Sequence, residues 1–144
     1  MKGPIQSVEV SYMVHATEDP RTLAEAVLTL LGVAAQPEED RMEGHFGNPI
    51  TWVRYHLIGD DAAAALASIA ARLKAPTKES LQRGLGERVD EHSALYLRFD
   101  KQRLVAGVLE EGTGDPVRVK VKPRGFLPRG GAEQFYARML FGGI

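Results

Sequence analysis

Two segments late in the chain alternate between apolar and polar residues. Residues 95–99 have the sequence LYLRF, and residues 117–122 have the sequence VRVKVK. Successive side chains of a β-strand point to opposite faces of the sheet, so each segment is predicted to be a strand with one apolar face. The opposite face would carry an aromatic ring and four cations: Tyr96, Arg98, Arg118, Lys120 and Lys122. An exposed basic face of this kind is typical of a nucleic-acid platform, and also of an ordinary solvated strand.

The same alternation predicts two strands nearer the N-terminus. The first covers residues 5–15. Before the second, the turn residues of 43–49 predict a tight connection between two extended segments, most simply a hairpin. In the second strand, Thr51, Val53, Tyr55 and Leu57 share one face. If that set faces the core, the open face gains Trp52, Arg54 and His56.

Helical spacing and capping residues predict the intervening helices. Asp19 and Pro20 are suited to a helix start, and Gly32 to its end. A second helix is expected over residues 62–74, capped by Asp60 or Asp61, and Thr77 is expected to cap a shorter one. Residues 100–109 are compatible with a helical turn or a strand, and we favour a turn at 100–103 followed by a strand over 105–110.

This order of elements predicts an α+β fold. We expect a two-layer sandwich with a mainly antiparallel sheet, helices on one face and the other face open. At 144 residues, one domain over residues 1–122 and a C-terminal extension over 123–144 are expected. The extension should form a short helix at 132–140 that needs a surface to dock on. Its apolar residues would dock on this chain or on a neighbouring copy, which leaves a homodimer open: Phe135, Met139, Leu140 and Phe141.

Composition limits the classes of function. The formal net charge of -1 excludes a simple polybasic binder, but charge is uneven along the chain. Residues 1–60 hold nine acidic and four basic side chains, whereas residues 98–124 hold seven basic and four acidic ones. The chain has no cysteine and no apolar run long enough for a signal peptide or a membrane span. We therefore expect a cytoplasmic protein with no membrane contact, and a polyanion as its partner.

The histidines and carboxylates give only weak support to an active site. His15, His45 and His56 lack the close spacing of metal ligands, so we expect no metal and no cofactor. Asp90, Glu91 and Asp100 could form a hydrolytic group if their strands adjoin, but residues at strand ends are usually turn formers or ion-pair partners. No P-loop, dinucleotide fingerprint or nucleophile elbow is present. We therefore predict that the protein is not an enzyme.

Residues 100–103, with the sequence DKQR, form a second candidate binding element. Lys101 and Arg103 flank Gln102 at the end of a predicted strand. The two cations could hold a phosphate while the Gln102 amide contacts a base edge or a ribose hydroxyl. An ordinary solvated turn is the alternative.

Five blocks of sequence resemble a known family in the same order. They are HATED at 15–19, GHFGNPI at 44–50, RVDE at 88–91, LYLRFDKQ at 95–102 and DPVRVKVK at 115–122. The family consists of small archaeal RNA-binding proteins described as predicted exosome subunits, with a fold related to ribosomal protein L5. The resemblance implies a non-enzymatic RNA-binding accessory factor of RNA processing or degradation, or of ribosome-related RNA handling. The turn after RVDE departs from the family, which has a glycine there where this chain has His92, Ser93 and Ala94.

The pattern and the resemblance together predict an RNA-binding surface. Its candidate residues are Trp52, Arg54, His56, Tyr96, Arg98, Lys101, Gln102, Arg103, Arg118, Lys120 and Lys122. Trp52 and Tyr96 would offer stacking surfaces and the cations would neutralise phosphates. The alternative is a protein-interaction module that joins an RNA-processing assembly, such as the exosome, without touching RNA, because aromatic residues and arginines are also enriched at protein interfaces.

Overall fold

A computed structural model shows an α+β fold with one five-stranded sheet. It describes residues 3–44, 46–125, 127–128 and 130–142. The strands are β1 (Ile5–His15), β2 (Glu38–Glu43), β3 (Pro49–Ile58), β4 (Leu95–Phe99) and β5 (Val117–Pro123). The helices are α1 (Pro20–Leu31), α2 (Gly59–Arg72), α3 (Thr77–Arg83), α4 (Lys101–Val105) and α5 (Gly131–Phe141), with a 3-10 turn at Leu85–Arg88. None of the described helices has the length and apolar character needed to cross a membrane.

The strands lie in the order β2-β3-β1-β5-β4, and every neighbouring pair is antiparallel. Val10 on β1 faces Tyr55 on β3 and Val119 on β5, and Val119 in turn faces Leu97 on β4. All four of these side chains are buried, so they lie on the core face. The intervening residues of each strand therefore share the opposite, open face, as the alternation predicted.

Helices cover the core face of the sheet. Leu66 and Ile69 of α2 are fully buried in the cluster that contains the inward residues of β1. Burying one such aliphatic side chain contributes about 1.5–3 kcal/mol. The predicted caps of α1 are present: the Asp19 carboxylate accepts a hydrogen bond from the Arg21 amide, and Gly32 ends the helix with a left-handed φ of 69°. The hairpin at 43–49 is also present, closed by the Gly44 amide donating to the Asn48 carbonyl.

Two predicted boundaries are wrong. Helix α2 begins at Gly59, so Asp60 and Asp61 lie in its first turn and the N-cap position belongs to Ile58. The carboxylates face the positive end of the helix dipole there, which favours helix formation without a capping hydrogen bond. Likewise, α3 is capped by Pro76 rather than by Thr77, whose side chain is buried.

The strand predicted over 105–110 does not form. Asp100 accepts a hydrogen bond from the Arg103 amide and starts helix α4, which runs to Val105. The chain then turns at Gly107, where φ is 85°. Leu104 and Leu109 enter the core, whereas Val105 and Val108 stay exposed. Apolar residues five positions apart match neither strand nor helix, so the pattern reflects an irregular loop with two anchoring side chains.

The C-terminal segment forms helix α5, close to the predicted bounds, and packs on its own chain. Ala132, Tyr136 and Leu140 are buried, and Phe135, Met139 and Phe141 pack partly buried against the same core cluster. The Tyr136 hydroxyl donates to the carbonyls of Ser93 and Val121, at 2.5 and 3.2 Å. The helix therefore ties the loop before β4 to strand β5.

Candidate functional site

The open face is basic on the side formed by β4 and β5. Arg118, Lys120 and Lys122 follow one another on β5, and Tyr96 and Arg98 lie beside them on β4. Alternate residues of a strand are about 6.8 Å apart and neighbouring strands are about 4.8 Å apart. Among the described residues, no carboxylate lies within 4 Å of a charged nitrogen of these four cations. We call these five residues the basic surface.

Two cations of the basic surface directly face each other. Arg98 is paired with Arg118 across β4 and β5. The neighbouring backbone bond from the Gly112 amide to the Arg98 carbonyl points away from β5, which makes this a non-hydrogen-bonded pair with its side chains close together. Like charges directly opposite each other destabilise a sheet by a few tenths of a kcal/mol. An anion placed between the two guanidinium groups would remove that repulsion.

Tyr96 lies next to the arginine pair and has a fixed orientation. Its hydroxyl donates to the Asp90 carboxylate at 2.9 Å, and the Lys120 ammonium lies 5.5 Å from the centre of its ring. Tyr96 as a whole residue remains 38% exposed. A preoriented aromatic ring beside unpaired cations can stack on a base whose phosphate binds those cations.

The other side of the open face has the opposite charge. Strand β2 contributes Glu38 and Asp40 there, opposite Arg54 and Trp52 of β3. Arg54 donates to Glu38 at 2.9 Å and lies 4.0 Å from Glu9. The hydrogen bond and charge of Glu38, together with the charge of Glu9, raise the pKa of the Arg54 guanidinium. Arg54 is thus on the predicted face, but its guanidinium group is already paired with carboxylates of this chain.

Trp52 and His56 are also on the open face, but both lie on β3, away from the arginine pair. Trp52 is distant from the whole basic surface. His56 faces Glu9 of β1, in the same cross-strand row as Lys120 and Tyr96. Trp52 faces Met13 and lies four residues further along β3. Three strand spacings and four residues of rise separate Trp52 from Tyr96 by about 20 Å. The two rings therefore do not form one stacking surface for adjacent bases.

The structure contradicts the prediction that Lys101 binds a phosphate at the surface. It is only 5% exposed, so it cannot hold a phosphate at the surface. Its ammonium donates to the Met13 carbonyl at 2.7 Å, to Glu18 at 3.0 Å and to Asp115 at 2.6 Å. A buried ammonium needs such partners to offset the loss of its hydration. Lys101 therefore joins the end of β1 to the loops before α1 and β5.

Gln102 and Arg103 lie on α4, which packs against α1 in the helix layer. Arg103 donates to Glu110 at 2.9 Å in an exposed ion pair, and Gln102 is exposed. Neither side chain belongs to the basic surface. Lys101, Gln102 and Arg103, which were predicted to bind one nucleotide together, thus have different surroundings. A helical turn distributes successive side chains around its axis.

One group of possible metal ligands occurs among the described residues, and it already surrounds a cation. Ligand atoms of His15, Glu18 and Asp115 lie within 4.8 Å of one another. His15 Nε2 lies 2.8 Å from Asp115, and the Lys101 ammonium contacts both carboxylates. Desolvation raises the pKa of Asp115, but hydrogen bonds and charges from Lys101 and His15 lower it by more. Of the other two histidines considered, His56 is six residues away along the β1 register and His45 lies outside the described residues.

The three carboxylates considered for hydrolysis do not form a cluster. Asp90 precedes β4 and Asp100 follows it, at opposite ends of a five-residue strand. Asp100 caps α4, and Glu91 is exposed. Desolvation raises the pKa of Asp90, but hydrogen bonds from the Ala94 amide, the Tyr96 hydroxyl and the His92 amide lower it overall.

Asp90 is instead the organising residue of the loop that precedes β4. Its carboxylate binds two amides of the loop, and the Ser93 amide donates to its carbonyl. Ser93 has a φ of 65°, in the left-handed region that favours glycine. This is the turn in which the resembling family has a glycine. In this chain a serine adopts the left-handed conformation, and the Asp90 carboxylate holds Tyr96 in place through the Tyr96 hydroxyl.

Alternation along the strands gave no indication of the cleft beside β4. The cleft has a volume of about 720 Å³ and is lined by Arg88, Val89, Asp90, Tyr96, Arg98 and the loop at 111–113, together with Glu87. Glu111 fixes one wall, because it accepts hydrogen bonds from Arg88 at 2.9 and 2.7 Å and from Ser80 at 2.8 Å. The sequence signals were the RVDE block, whose first three residues form one wall, and the LYLRFDKQ block, which supplies Tyr96 and Arg98.

Comparisons with known proteins show a family and a fold to which this chain is similar. A family model described as RNA binding matches residues 7–123. The chain is 30% identical over 135 residues to RNA-binding protein PAB1135 of Pyrococcus abyssi, covering 88% of each. It is 29% identical over 120 residues to protein MJ0213 of Methanocaldococcus jannaschii, covering 78% of this chain and 80% of that one. The structure of Mth689, a DUF54 protein from Methanothermobacter thermautotrophicus, is similar, with a TM-score of 0.76 and 29% identity over 96% of this chain and 99% of that one.

Proposed function

The chain belongs to the RNA-binding family whose model it matches, and from this premise we propose that it binds RNA through the basic surface on β4 and β5. The observation that carries this proposal is the set of cations without carboxylate partners among the described residues: Arg98, Arg118, Lys120 and Lys122. Several cations elsewhere among the described residues also lack an ion pair, so the distinguishing feature of these four is that they lie in adjacent positions on one face of two neighbouring strands. A row of cations left without partners favours a polyanionic ligand.

The geometry of the basic surface suits a ribose-phosphate backbone. Cations recur about every 6.8 Å along β5, which is comparable to the separation of successive phosphates in an extended strand. The Arg98 and Arg118 pair adds a place where one phosphate can contact two guanidinium groups. Contacts of this kind supply affinity without reading the sequence. We therefore propose that the phosphate contacts give an affinity for RNA that depends strongly on salt concentration and weakly on the sequence of the RNA.

The experiment that tests the proposal is an RNA titration at several salt concentrations. Each phosphate contact to a single strand contributes about 0.7 to the slope of log affinity against log salt. The double variant Arg118→Glu with Lys120→Glu should abolish measurable binding at moderate salt. Arg21→Glu with Lys74→Glu is the matched control, because it changes the net charge equally at exposed positions in the helix layer.

The outcomes separate this proposal from its rival. Loss of RNA binding in the first double variant and retention in the second support the basic surface. No binding by the unchanged chain at low salt, or binding that ignores salt, would contradict it. If the first double variant keeps its RNA but loses protein partners in co-purification, the face is a protein-interaction surface instead.

We further propose that the protein is a non-enzymatic accessory factor in an RNA-processing or RNA-degrading assembly such as the exosome. Support comes from the resemblance of the sequence blocks and from the positions of the carboxylates, since Asp90 and Asp100 serve structural roles. Incubation with labelled RNA should leave the RNA intact, and co-purification from an archaeal lysate should recover processing proteins. The sequence left open a homodimer formed through the apolar residues of α5. The buried side chains of this helix pack on their own chain and do not require a second copy.

A further inference from the structure

The cleft beside β4 lies at the outer edge of the sheet. Strand β4 is the last in the strand order, so none of the strands in the described part of the chain pairs with the edge opposite β5. Single bridges close this edge at its two ends, from Leu95 to Val89 and from Phe99 to Glu111. The stretch between these bridges forms the floor of the 720 Å³ cleft.

Backbone polar groups remain available on that floor. The Ala94 and Arg98 carbonyls and the Asp100 amide point outward, because they bond to residues 90, 112 and 110. Residues of an antiparallel strand alternate in the side to which their backbone groups point, so the Tyr96 carbonyl and the Arg98 amide point outward as well. Among the described residues, neither of these two groups has a backbone partner outside the strands. One acceptor and one donor therefore face the cleft side by side.

Tyr96 and Arg98 form a ridge between the cleft and the basic surface. Both side chains line the cleft, and both also line a shallow groove on the open face with Ser11, Arg118, Lys120 and the carboxylate Glu9, which faces Lys120 across β1 and β5. The Lys120 ammonium lies by the Tyr96 ring, whose hydroxyl reaches over the edge of the sheet to Asp90. A ligand that crosses this ridge would meet an aromatic ring and the edge of β4 on one side, and guanidinium groups on the other.

We propose that the cleft takes the base of one unstacked nucleotide of single-stranded RNA, while the adjoining phosphate lies between Arg98 and Arg118. A base has an apolar face for Tyr96 and Val89, and donor and acceptor edges for the Arg98 amide and the Tyr96 carbonyl. Asp90 and Glu111 are committed to internal hydrogen bonds and keep the cleft walls in position, whereas the third carboxylate that lines the cleft, Glu87, is exposed. This inference rests on the proposed RNA-binding function and names single-stranded RNA as the ligand.

A duplex would not satisfy this arrangement. Its bases are stacked and paired, and extruding one costs a few kcal/mol. The backbone of a duplex could still contact the basic surface, with the cleft left empty. Single-stranded RNA should therefore bind more tightly than a duplex of the same length, and the difference should arise from the base.

The test compares hexanucleotides of each of the four bases with a ribose-phosphate hexamer that lacks bases. Stacking strengthens binding by about fivefold to more than a hundredfold per base, so at least one base-bearing hexamer should bind about fivefold or more tightly than the abasic one. Thr113→Trp fills the cleft from an exposed loop position without changing charge. It should abolish this difference between base-bearing and abasic hexamers while leaving abasic binding unchanged. Thr29→Trp, at an exposed position on α1, is the matched control and should preserve the difference.

Each outcome bears on a different proposal. Equal affinities for the abasic hexamer and all four base-bearing hexamers would overturn base insertion while leaving RNA binding intact. An undiminished difference in the Thr113→Trp variant would place the base elsewhere on the protein and overturn the cleft as its site. No binding of any hexamer at low salt would overturn both proposals. The backbone amide of Arg98 supplies a second measurement, since its nuclear magnetic resonance signal should shift farther with base-bearing RNA, which bonds to the amide, than with the abasic hexamer, which contacts only the Arg98 side chain.

Discussion

The ammonium group of Lys101 joins three segments that are far apart in the sequence. It contacts the Met13 carbonyl, Glu18 and Asp115, and it is almost fully buried. Lys101→Met keeps the length of the side chain but leaves the two carboxylates near each other without their shared cation. We expect a loss of about 2 kcal/mol in the free energy of unfolding, because partly buried charges lose their partner. RNA affinity should not change.

Lys120→Met is the matched control for that substitution. Lys120 has a ring contact but no carboxylate within 4 Å among the described residues, so its replacement should change stability by less than about 0.5 kcal/mol. It should instead weaken RNA binding. Urea denaturation and the RNA titration measure the two properties separately. The assignment of Lys101 to the interior would be wrong if Lys101→Met weakened RNA binding without lowering the urea midpoint.

These two lysines show what a residue's immediate sequence can and cannot predict. Lys120 alternates with buried valines, so the period of two placed it on the open face correctly. Lys101 follows Asp100, and nothing in the sequence DKQR distinguishes a surface cation from a buried one. Its partners lie 83, 88 and 14 residues away along the chain. Contacts of that range depend on the packing of α4, which alternation does not specify.

At the scale of elements, α5 is held by both apolar burial and a hydrogen-bonded tyrosine. Truncation after Arg124 removes the buried side chains of Ala132, Tyr136 and Leu140 and should lower the melting temperature strongly. Tyr136→Phe is a milder test, because it removes only the hydroxyl that binds the Ser93 and Val121 carbonyls. We expect it to cost about 1–2 kcal/mol, measured by thermal or urea unfolding.

Light scattering completes the test of α5. A mass that stays constant after truncation, together with a lower melting temperature, is the result expected for a helix that packs on its own chain. An unchanged melting curve would contradict the burial of Tyr136. A melting curve that shifts together with a halved mass would show that the helix stabilises a pair of chains.

The elements differed in how well the sequence predicted them. Helix α5 was predictable from good helix formers that follow the break at Gly130 and Gly131. The strand expected at 105–110 failed because two pairs of apolar residues, at 104–105 and 108–109, fit several local structures. Only the position of α4 against α1 decides that Leu104 and Leu109 are the buried members. Tertiary packing overrides local pattern most easily in such short segments.

At the scale of the whole molecule, the lateral order of the strands determines the charge of the open face. Periodicity predicted which residues share that face, but it did not predict that β1 and β3 would separate acidic β2 from basic β4 and β5. That order pairs Arg54 with Glu38 and puts Trp52 far from Tyr96. The basic surface is therefore narrower than the set of open-face cations in the sequence, and it ends at strand β1, where Glu9 faces Lys120.

The acidic side of the sheet should restrict how far RNA extends across it. In the variant Glu38→Gln, Arg54 loses its 2.9 Å carboxylate partner and becomes available to a phosphate. RNA affinity should then rise, and the salt slope should steepen by about 0.7 for one added contact to a single strand. The cost to folding should stay within about 1 kcal/mol, because the lost ion pair is exposed.

Glu25→Gln is the matched control, since it removes one negative charge from an exposed position on α1. A purely global effect of net charge would raise RNA affinity equally in both variants, without a steeper slope for Glu38→Gln alone. Screening at physiological salt acts over about 8 Å, so a charge in the helix layer should influence RNA on the open face far less than Glu38 does. An increase confined to Glu38→Gln would establish that bound RNA reaches β3, whereas no increase would confine it to β4 and β5.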